Sequence, residues 1–437
     1  MKTVIFCARD FRDLLTYRNA TDRAAQPEAA VRDILGSDYV QDFLYRKLHF
    51  FDDRDEALTA PIVGETGVDG LRLDFNFGLR LDVPRGKFRV RIGEVGGETF
   101  VDEELSDVRL VSYEKQFIRW RVEVFSGDER IFAHALDLQA QPVTVVVRLN
   151  ALGDALSVLP AVAEFQRRHR CKLSILFPKY LREFAAHLYP ELNFVDAVNF
   201  DGYATYFPTM CIGDYPSVPA DVRNMPMELA TCRTLALGGR APKPTFVPTE
   251  SPVTSAPYVC IAVQASITRK CWLWPNGWDV VVDYLKQLGY RVFCVDRDAV
   301  QTNDGMTVRK PAGAEDFTGD FPIMHRANML YHAEFFVGLS SGLSWLADAV
   351  GCPVVMICGF SQEWFEFETP YRVANRNVCN GCLCDVRVDY INEVCPYHRN
   401  TPRELECQKK ISPRQVLDAI EQLIVDRNLT PPALRTN

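Results

Sequence analysis

The stretch VTVVVRLNALGDALSVLP, residues 143–160, marks a change of periodicity in this chain. Its opening VTVVVRL is an almost continuous apolar run, which is typical of a parallel strand covered on both faces. A short loop carrying Gly153 and Asp154 follows, and a helical pattern begins beside it. Strand, loop and helix in this order predict the first unit of a parallel βα sheet.

Downstream, the same alternation repeats twice along the chain. KLSILFP, YLREFAAHLY and NFVDAV continue a first Rossmann-like domain at residues 143–256, and a linker rich in Pro, Ser and Thr is predicted at 241–257. YVCIAVQAS and GWDVVVDYLKQLG then open a second Rossmann-like domain at 257–428. Two parallel-sheet domains predict a cleft between them, where such folds bind ligands.

Upstream of residue 142 the pattern is that of antiparallel strands. Runs between about 71 and 140 alternate polar and apolar residues, and FIRWRVEVF and RIFAHALDL flank the turn residues SGDE. Such a pair predicts a β-hairpin. We therefore expect a β-rich N-terminal module at residues 1–142, although its first seventy residues show a mixed pattern.

Composition excludes several classes of protein. The 437 residues carry a formal charge of -8 and no run of Lys or Arg, which argues against nucleic acid as a partner. Arg9, Asp10, Arg12 and Asp13 interrupt the N-terminal apolar run, so no signal peptide is predicted. No uncharged apolar run reaches the roughly 18 residues of a membrane helix. We expect a cytoplasmic protein without an integral membrane segment.

Asp154 is the first candidate for chemistry. It follows a buried strand, at the carboxyl edge where open α/β sheets hold ligands, so its carboxylate could act as a general base. The alternative is a helix N-cap, because Asp accepts hydrogen bonds from the first free N–H groups of a helix.

A second candidate site follows the first strand of the second sheet. VQASITRKCWLWPNGW places Gln264, Ser266, Thr268 and Lys270 ahead of a helix. Hydroxyls and one ammonium suit a phosphate, and Lys270 could neutralise the charge that develops on a diphosphate leaving group. The alternative for Lys270 is an ordinary solvated surface lysine.

A third candidate is the tight turn in FFVGLSSGLSWLADAV. Ser340, Ser341 and Gly342, with the amides at the helix start, would form an anion site. The stretch matches neither a Walker loop nor a GxGxxG fingerprint. Its alternative is a Ser-capped helix packed on a sheet.

Five of the fourteen cysteines cluster within residues 377–410. In a reducing compartment such a cluster indicates metal binding more than disulfides. Cys379 and Cys382 form a C-x2-C pair, and Cys395 and Cys407 complete a tetrahedral set that suits zinc or iron equally. Four protein ligands leave no open position, so the site reads as structural. Cys384 remains an alternative to Cys382, and unrelated thiols are the other interpretation.

The order of these motifs resembles the bacterial autotransporter heptosyltransferases. The resemblance covers roughly residues 70–425 and rests on LGDALSVLP, QASITRKCWLWPNGW, GLSSGLSWLADAVGCPVVMI and the cysteine motif. It implies an α/β protein, a GT-B-type pair of Rossmann-like domains with an N-terminal antiparallel β module and a four-cysteine metal-binding segment. The lipopolysaccharide heptosyltransferases, which are related, lack the cysteine quartet.

The resemblance also implies roles for the candidate residues. Asp154 would take the proton of an acceptor serine, Lys270 would hold the diphosphate, and the donor would lie against Gln264, Ser266, Thr268, Ser340, Ser341 and Gly342. The reaction would be an inverting transfer of heptose from ADP-heptose to serines of an autotransporter passenger domain. Ferric iron would occupy Cys379, Cys382, Cys395 and Cys407 and support a dodecamer, with zinc as the alternative, and no catalytic metal is expected.

Two other functions stay open at this point. One is a lipopolysaccharide-type or other small-molecule glycosyltransferase, and the other is a non-enzymatic scaffold that binds nucleotide sugars. The β module separates the first of these from the protein-modifying enzyme, because an extended, β-rich acceptor could be recognised by such a module.

Overall fold

A computed structural model describes residues 2–6, 8, 60–210, 217–218, 220–303, 306–388 and 395–435. Residues 9–59, which the sequence analysis assigned to the N-terminal module, lie outside the described residues, as do residues 389–394 of the cysteine segment.

The N-terminal module contains two four-stranded sheets. One has the order β1-β6-β3-β2, with β1 parallel to β6, and the other is antiparallel with the order β5-β4-β7-β8. The predicted hairpin is confirmed as β7 and β8, which turn at Gly127. The strands are β1 (Lys2–Phe6), β2 (Arg72–Asp74), β3 (Arg80–Val83), β4 (Phe88–Glu94), β5 (Thr99–Leu105), β6 (Val108–Ser112), β7 (Trp120–Ser126) and β8 (Glu129–Ala135).

The opening stretch of the sequence forms the centre of the first parallel sheet. Val143, Val145 and Val146 are buried, as expected for a strand covered on both faces. The sheet order is β11-β10-β9-β12, so the strand order reverses between β9 and β12. Its elements are β9 (Pro142–Val146), α1 (Leu152–His169), β10 (Lys172–Leu176), α2 (Arg182–Leu188), β11 (Asn193–Val195), β12 (Ala204–Tyr206) and α3 (Met227–Thr234).

The second parallel sheet has six strands in the order β17-β14-β13-β18-β19-β20. This is the doubly wound order of dinucleotide-binding folds, whose reversal lies between β13 and β18. The strands are β13 (Tyr258–Ile261), β14 (Arg291–Cys294), β17 (Glu315–Asp316), β18 (Phe336–Leu339), β19 (Val354–Ile357) and β20 (Arg372–Val373), with a separate hairpin of β15 (Val300–Asn303) and β16 (Met306–Arg309).

The helices of the second unit follow the apolar pattern of the sequence. Trp278, Val281, Val282 and Leu285 are buried on one face of α4, and Gly289 follows with a φ of 89°. The helices are α4 (Gly277–Gln287), α5 (Ile323–Tyr331), α6 (Gly342–Ala349), α7 (Glu406–Lys409) and α8 (Pro413–Asp426). Over the described ranges, no helix is both long and apolar enough to cross a membrane.

The predicted linker at 241–257 contains no helix or strand, but its side chains contact both parallel-sheet units. Phe246 is buried and packs on Phe184 of α2 and Tyr331 of α5. Lys243 forms salt bridges with Glu228 of α3 and, at 2.7 Å, with Asp348 of α6. The linker therefore joins the two units by packing as well as by covalent connection.

Candidate active site

The reversal points of the two parallel sheets lie face to face. Helix α1 follows β9 and helix α6 follows β18, and the two helices pack against each other. A Cβ added at Gly153 would lie 2.7 Å from the Trp345 ring, and one added at Gly342 would lie 2.6 Å from the Leu152 side chain. The helix starts are thus in close contact, and the loops that precede them lie near each other.

Asp154 occupies the first turn of α1 rather than its cap. The N-cap residue is Ala151, and no side chain caps this helix, so the capping alternative is wrong. The carboxylate is half-buried, and burial raises its pKa while the charge of Lys270 lowers it. The carboxylate is therefore not used for local structure and faces the second domain.

Lys270 lies opposite Asp154, in a 3-10 turn (Thr268–Lys270) after β13. Its ammonium is 5.7 Å from the centre of the Phe360 ring, and the residue is half-buried. An ammonium that lies over an aromatic ring and interacts electrostatically with a carboxylate differs from an ordinary solvated lysine. The structure thus brings together the predicted base and the predicted diphosphate-binding cation.

The other residues of the loop after β13, residues 264–270, have different environments; we call this stretch the donor loop because it is the predicted donor-binding segment. The side-chain amide of buried Gln264 donates a hydrogen bond to the carbonyl of Asp298, so it holds the loop in place. Thr268 is buried and Ser266 is exposed. Ser266 is therefore the hydroxyl of this loop that faces solvent.

The residues of the turn after β18 differ in their contacts. The hydroxyl of buried Ser340 donates to the Glu366 carboxylate, which also pairs with Arg372 at 2.5 Å. Ser341 is the N-cap residue of α6, but its side chain makes no capping hydrogen bond, so the predicted alternative of a Ser-capped helix is wrong for the side chain. Gly342 begins the helix against Leu152.

Two residues of the site were missed by sequence reasoning. Asp296, at the end of β14, accepts hydrogen bonds from the backbone N–H groups of Val263 and Gln264 at 2.7 and 3.2 Å, and burial raises its pKa to about 6. The Tyr180 hydroxyl donates a hydrogen bond to the Asn150 carbonyl at 2.7 Å. Burial raises the pKa of Tyr180, and the charge of Asp154 raises it further. Both follow strand ends, which is the signal that could have found them.

The structure brings the four cysteines of the predicted quartet near one another, but their sulfur atoms do not form a set in which all lie within 4.8 Å of one another. Cys382, Cys395 and Cys407 are each 8% exposed, and Cys379 is half-buried. Burial raises the pKa of Cys407, and the neighbouring charges of the other three thiols raise it further. Cys384 faces a different group: its sulfur accepts from the Gln362 N–H at 3.4 Å, beside Cys358.

Cys379 also has two neighbours outside the quartet. Its thiol and one ligand atom each of His398 and Glu406 lie within 4.8 Å of one another, and Glu406 accepts a hydrogen bond from the Cys379 N–H at 3.0 Å. Of the residues with described positions, this group is the tightest set of metal-binding atoms. His398 and Glu406 are therefore alternative ligands at this end of the cluster.

Two families match separate parts of the chain. Glycosyltransferase TibC, N-terminal domain, matches residues 67–128, which include three of the four strands of the antiparallel sheet, β4, β5 and β7. Glycosyltransferase family 9 (heptosyltransferase) matches residues 218–397, which include the second parallel sheet and most of the cysteine segment.

Three proteins are similar over most of their lengths. Autotransporter heptosyltransferase BAHTCr of Citrobacter rodentium is 37% identical over 82% of this chain and 90% of its own. Autotransporter heptosyltransferase TibC of Escherichia coli O78:H11 is 36% identical over 84% of this chain and 92% of its own. Inactive autotransporter heptosyltransferase BimC of Burkholderia thailandensis is 33% identical over 82% and 87%.

Solved structures of TibC extend the similarity to the fold. The crystal structure of TibC, described as an iron-containing dodecameric glycosyltransferase, superposes with a TM-score of 0.79 at 35% identity, covering 85% of this chain and 99% of TibC. A second TibC structure, with the same values, contains ADP-D-beta-D-heptose. The predicted GT-B-type pair of domains with its N-terminal β module is confirmed, and the chain belongs to the autotransporter heptosyltransferase family.

Proposed function

We propose that this protein transfers a heptosyl group from ADP-heptose to serine hydroxyls of an autotransporter passenger domain. The observation that carries the proposal is the electrostatic interaction of Asp154, in the first turn of α1, with Lys270, in the 3-10 turn after β13; each residue follows the strand at which its own sheet reverses. One member of the family, BimC, is named inactive, so membership alone does not establish activity. The proximity of a carboxylate and an ammonium suited to these two roles supports an active enzyme.

The arrangement supports a single inverting displacement. Asp154 takes the proton of the serine hydroxyl while the serine oxygen attacks the anomeric carbon of the heptose. The bond from that carbon to the diphosphate breaks, and ADP leaves with the bonding electrons. Lys270 stabilises the charge that develops on the leaving diphosphate, where a fixed cation is most effective. Burial raises the pKa of Asp154 and so makes its carboxylate a stronger base.

The donor residues follow from their environments. Ser341 and Gly342 at the start of α6, with Ser266 and Thr268 on the opposite loop, would contact the phosphates, because helix starts and hydroxyls suit anions. Gln264 and Ser340 would support these contacts from behind, since the described hydrogen bonds of both side chains go to protein groups.

Transfer is tested with purified protein, a co-expressed passenger fragment and several nucleotide sugars, read by intact mass. We expect a gain of one heptosyl residue per modified serine with ADP-heptose and none with ADP-glucose. Peptide fragmentation then locates the sugar, and the anomeric configuration of the product tests inversion. Absence of any mass gain with ADP-heptose, in protein that binds ADP, would favour the scaffold alternative.

The cysteine quartet fits a structural iron site. Four largely buried thiols that lie near one another would supply the donor set for tetrahedral iron or zinc, and all four come from the protein. Cys379, Cys382, Cys395 and Cys407 would hold ferric iron, as the iron-containing relative TibC suggests. The ion would supply cross-linking of the segment rather than chemistry. Elemental analysis decides between iron and zinc, and a protein with neither would contradict the quartet.

We extend the proposal to assembly and location. TibC is described as dodecameric, and the same state is proposed for this chain. The passenger acceptor, named in the relatives as an autotransporter, would meet the enzyme in the cytoplasm before export. Light scattering after size-exclusion chromatography tests the subunit number, and fractionation of the source cells tests the location.

A further inference from the structure

The cysteine segment contacts the loop that carries Lys270, although the two are far apart in sequence. Gln408, in the residue position after Cys407, is fully buried. Its side-chain amide donates a hydrogen bond to the backbone carbonyl of Arg269, and its own backbone carbonyl accepts from the Leu273 N–H at 3.3 Å. Gln408 thus holds the backbone on both sides of Lys270, at Arg269 and at Leu273.

A second connection lies beneath the ammonium of Lys270. The ring that faces this ammonium belongs to Phe360, whose carbonyl accepts a hydrogen bond from the Leu383 N–H at 2.9 Å. Leu383 lies between two cysteines in the 3-10 turn Cys382–Cys384. The turn of the cysteine motif therefore fixes the backbone of the residue on which Lys270 rests.

The backbones of the two segments also approach closely. A Cβ added at Gly359 would lie 2.2 Å from the carbonyl oxygen of Cys407, and the Gly381 N–H donates to the Gly359 carbonyl at 2.9 Å. Trp272, just beyond the donor loop, donates its indole N–H to the Ile411 carbonyl at 2.9 Å. The cysteine segment is thus packed directly against the residues around the predicted donor site.

We propose that Gln408 is a positioning residue that couples metal binding by the cysteine segment to diphosphate binding by Lys270. A metal ion would fix Cys407, and through Gln408 it would fix the carbonyl preceding Lys270. Without the amide donor, the buried carbonyl of Arg269 loses a hydrogen bond, and the position of the loop is no longer fixed at that residue. The inference rests on the proposed function, in which Lys270 holds the donor's diphosphate.

The test uses Gln408→Met in the full-length, metal-loaded protein, because Met keeps the length of the side chain but cannot donate a hydrogen bond. ADP is the probe, and its affinity is measured by isothermal titration. We expect metal content and assembly to be unchanged, ADP affinity to fall about tenfold, and KM for ADP-heptose to rise more than kcat falls. Gln422→Met, at an exposed position of α8, is the matched control and should change nothing.

Unchanged ADP affinity in metal-loaded Gln408→Met would overturn the inference. Gln408→Asn serves if the methionine variant does not fold, because Asn keeps the amide but is one methylene too short to reach Arg269. In either variant, hydrogen exchange should be faster at the amides of Cys271 and Leu273, and unchanged protection there would also overturn it. If the wild type binds ADP more tightly than the Gln408 variants but transfers no heptose, the proposed function is wrong and the role of Gln408 in diphosphate binding is still supported.

Discussion

Asp154 is under two opposing electrostatic influences. Burial favours its neutral form and raises its pKa, and Lys270 favours the carboxylate and lowers it. The first effect is the larger, so the group is a stronger base than a solvated aspartate. In the proposed mechanism, the cation that would bind the leaving group also favours the ionised form of the base, so loss of either residue should alter both functions.

Replacement of Asp154 by Asn should abolish transfer without loss of stability. A missing general base costs about a hundredfold or more in rate. Because burial raises the folded-state pKa, unfolding free energy falls as pH rises from the unfolded to the folded pKa, and above that window the ionised carboxylate costs stability. The neutral amide removes this cost, so the Tm of Asp154→Asn at neutral pH should equal or exceed that of the wild type.

The measurements are the transfer rate by intact mass and Tm by calorimetry. Glu183→Gln, at an exposed position of α2, is a suitable control for the change of charge. Near-normal transfer by Asp154→Asn would rule out its role as the base, and a large fall in Tm would indicate that the carboxylate has a structural role instead.

Replacement of Lys270 by Met should move the pH profile as well as weaken donor binding. Without the ammonium the pKa of Asp154 is no longer lowered, so activity should be lost at a higher pH on the acid side. Donor affinity should fall about tenfold or more, because charge-assisted hydrogen bonds contribute about 1.5–3 kcal/mol. The check is kcat/KM for ADP-heptose against pH, with exposed Lys286→Met as control.

An acid limb at the same pH in Lys270→Met and wild type would show that the two groups do not interact. A shift to lower pH would contradict the sign of the interaction. The pH profile is informative even if residual activity is small, because the pH at which kcat/KM falls on the acid side does not depend on the maximum value of kcat/KM.

Sequence reasoning found Asp154 and Lys270 because each follows a buried strand, and the carboxyl edge of a parallel sheet is where ligands bind. It assigned Ser340 to the anion site, but it could not find the hydrogen-bond partner of this residue, Glu366, which lies 26 residues away and comes close only through the fold. Asp296 and Tyr180 also follow strands, but neither lies in a stretch with a recognisable motif.

At the scale of elements, the close contact between the starts of α1 and α6 depends on two glycines. Gly153 leaves room for the Trp345 ring, and Gly342 leaves room for Leu152. A side chain at either position would separate the helix starts that carry the predicted base and part of the donor site. Small residues here are thus a requirement of packing between helices rather than of backbone conformation.

Gly342→Ala should lower both stability and activity. Its Cβ would lie 2.6 Å from the Leu152 side chain, and an overpacked contact of this kind costs about 1–3 kcal/mol. Denaturant unfolding measures the stability, and ADP titration reports on the donor site. Gly239→Ala is the matched control, because a Cβ there has no neighbour within 4 Å. Equal stability of the two variants would show that the helices can move apart at no cost.

The elements themselves were predictable where the periodicity was strong. The apolar runs of β9 and β13, the hairpin of β7 and β8 and the buried face of α4 follow directly from residue patterns. The parallel pairing of β1 with β6 was not predicted, because more than a hundred residues separate the two strands. The cysteine segment has little periodicity, and its contacts with the donor loop arise from single hydrogen bonds that no pattern reveals.

At the scale of the whole molecule, the N-terminal module and the first parallel sheet are joined through buried polar groups. Phe75 forms a bridge with Ala204 of β12. Asn76 is fully buried, donates to the carbonyls of Phe200 and Gly202 at 2.9 Å, and accepts from the Thr205 hydroxyl at 2.8 Å. The boundary predicted at residue 142 stays a prediction, but these contacts indicate that the two parts fold together.

The cysteine segment connects both parallel-sheet units. Arg223, held by Asp221 at 2.7 Å, donates to the carbonyl of Val388 at 2.8 Å and so anchors the segment to the stretch just before α3 of the first unit. Gln408 anchors it to the donor loop of the second unit. A metal in this segment would therefore stabilise the relative positions of the two units as well as the donor site.

Asn76→Ala should destabilise the whole protein while its unfolding remains a single transition. The substitution leaves two half-buried carbonyls and a buried hydroxyl without this partner, and loss of a buried partner costs about 1–3 kcal/mol. Calorimetry should show one peak at a lower Tm, with the same midpoint by tryptophan fluorescence and by far-ultraviolet circular dichroism. Asn199→Ala, an exposed residue that bonds Asp201, is the control and should leave Tm unchanged. An early separate transition in Asn76→Ala would instead show that the β module unfolds independently, because the polar contacts would then hold together two domains that are each stable alone.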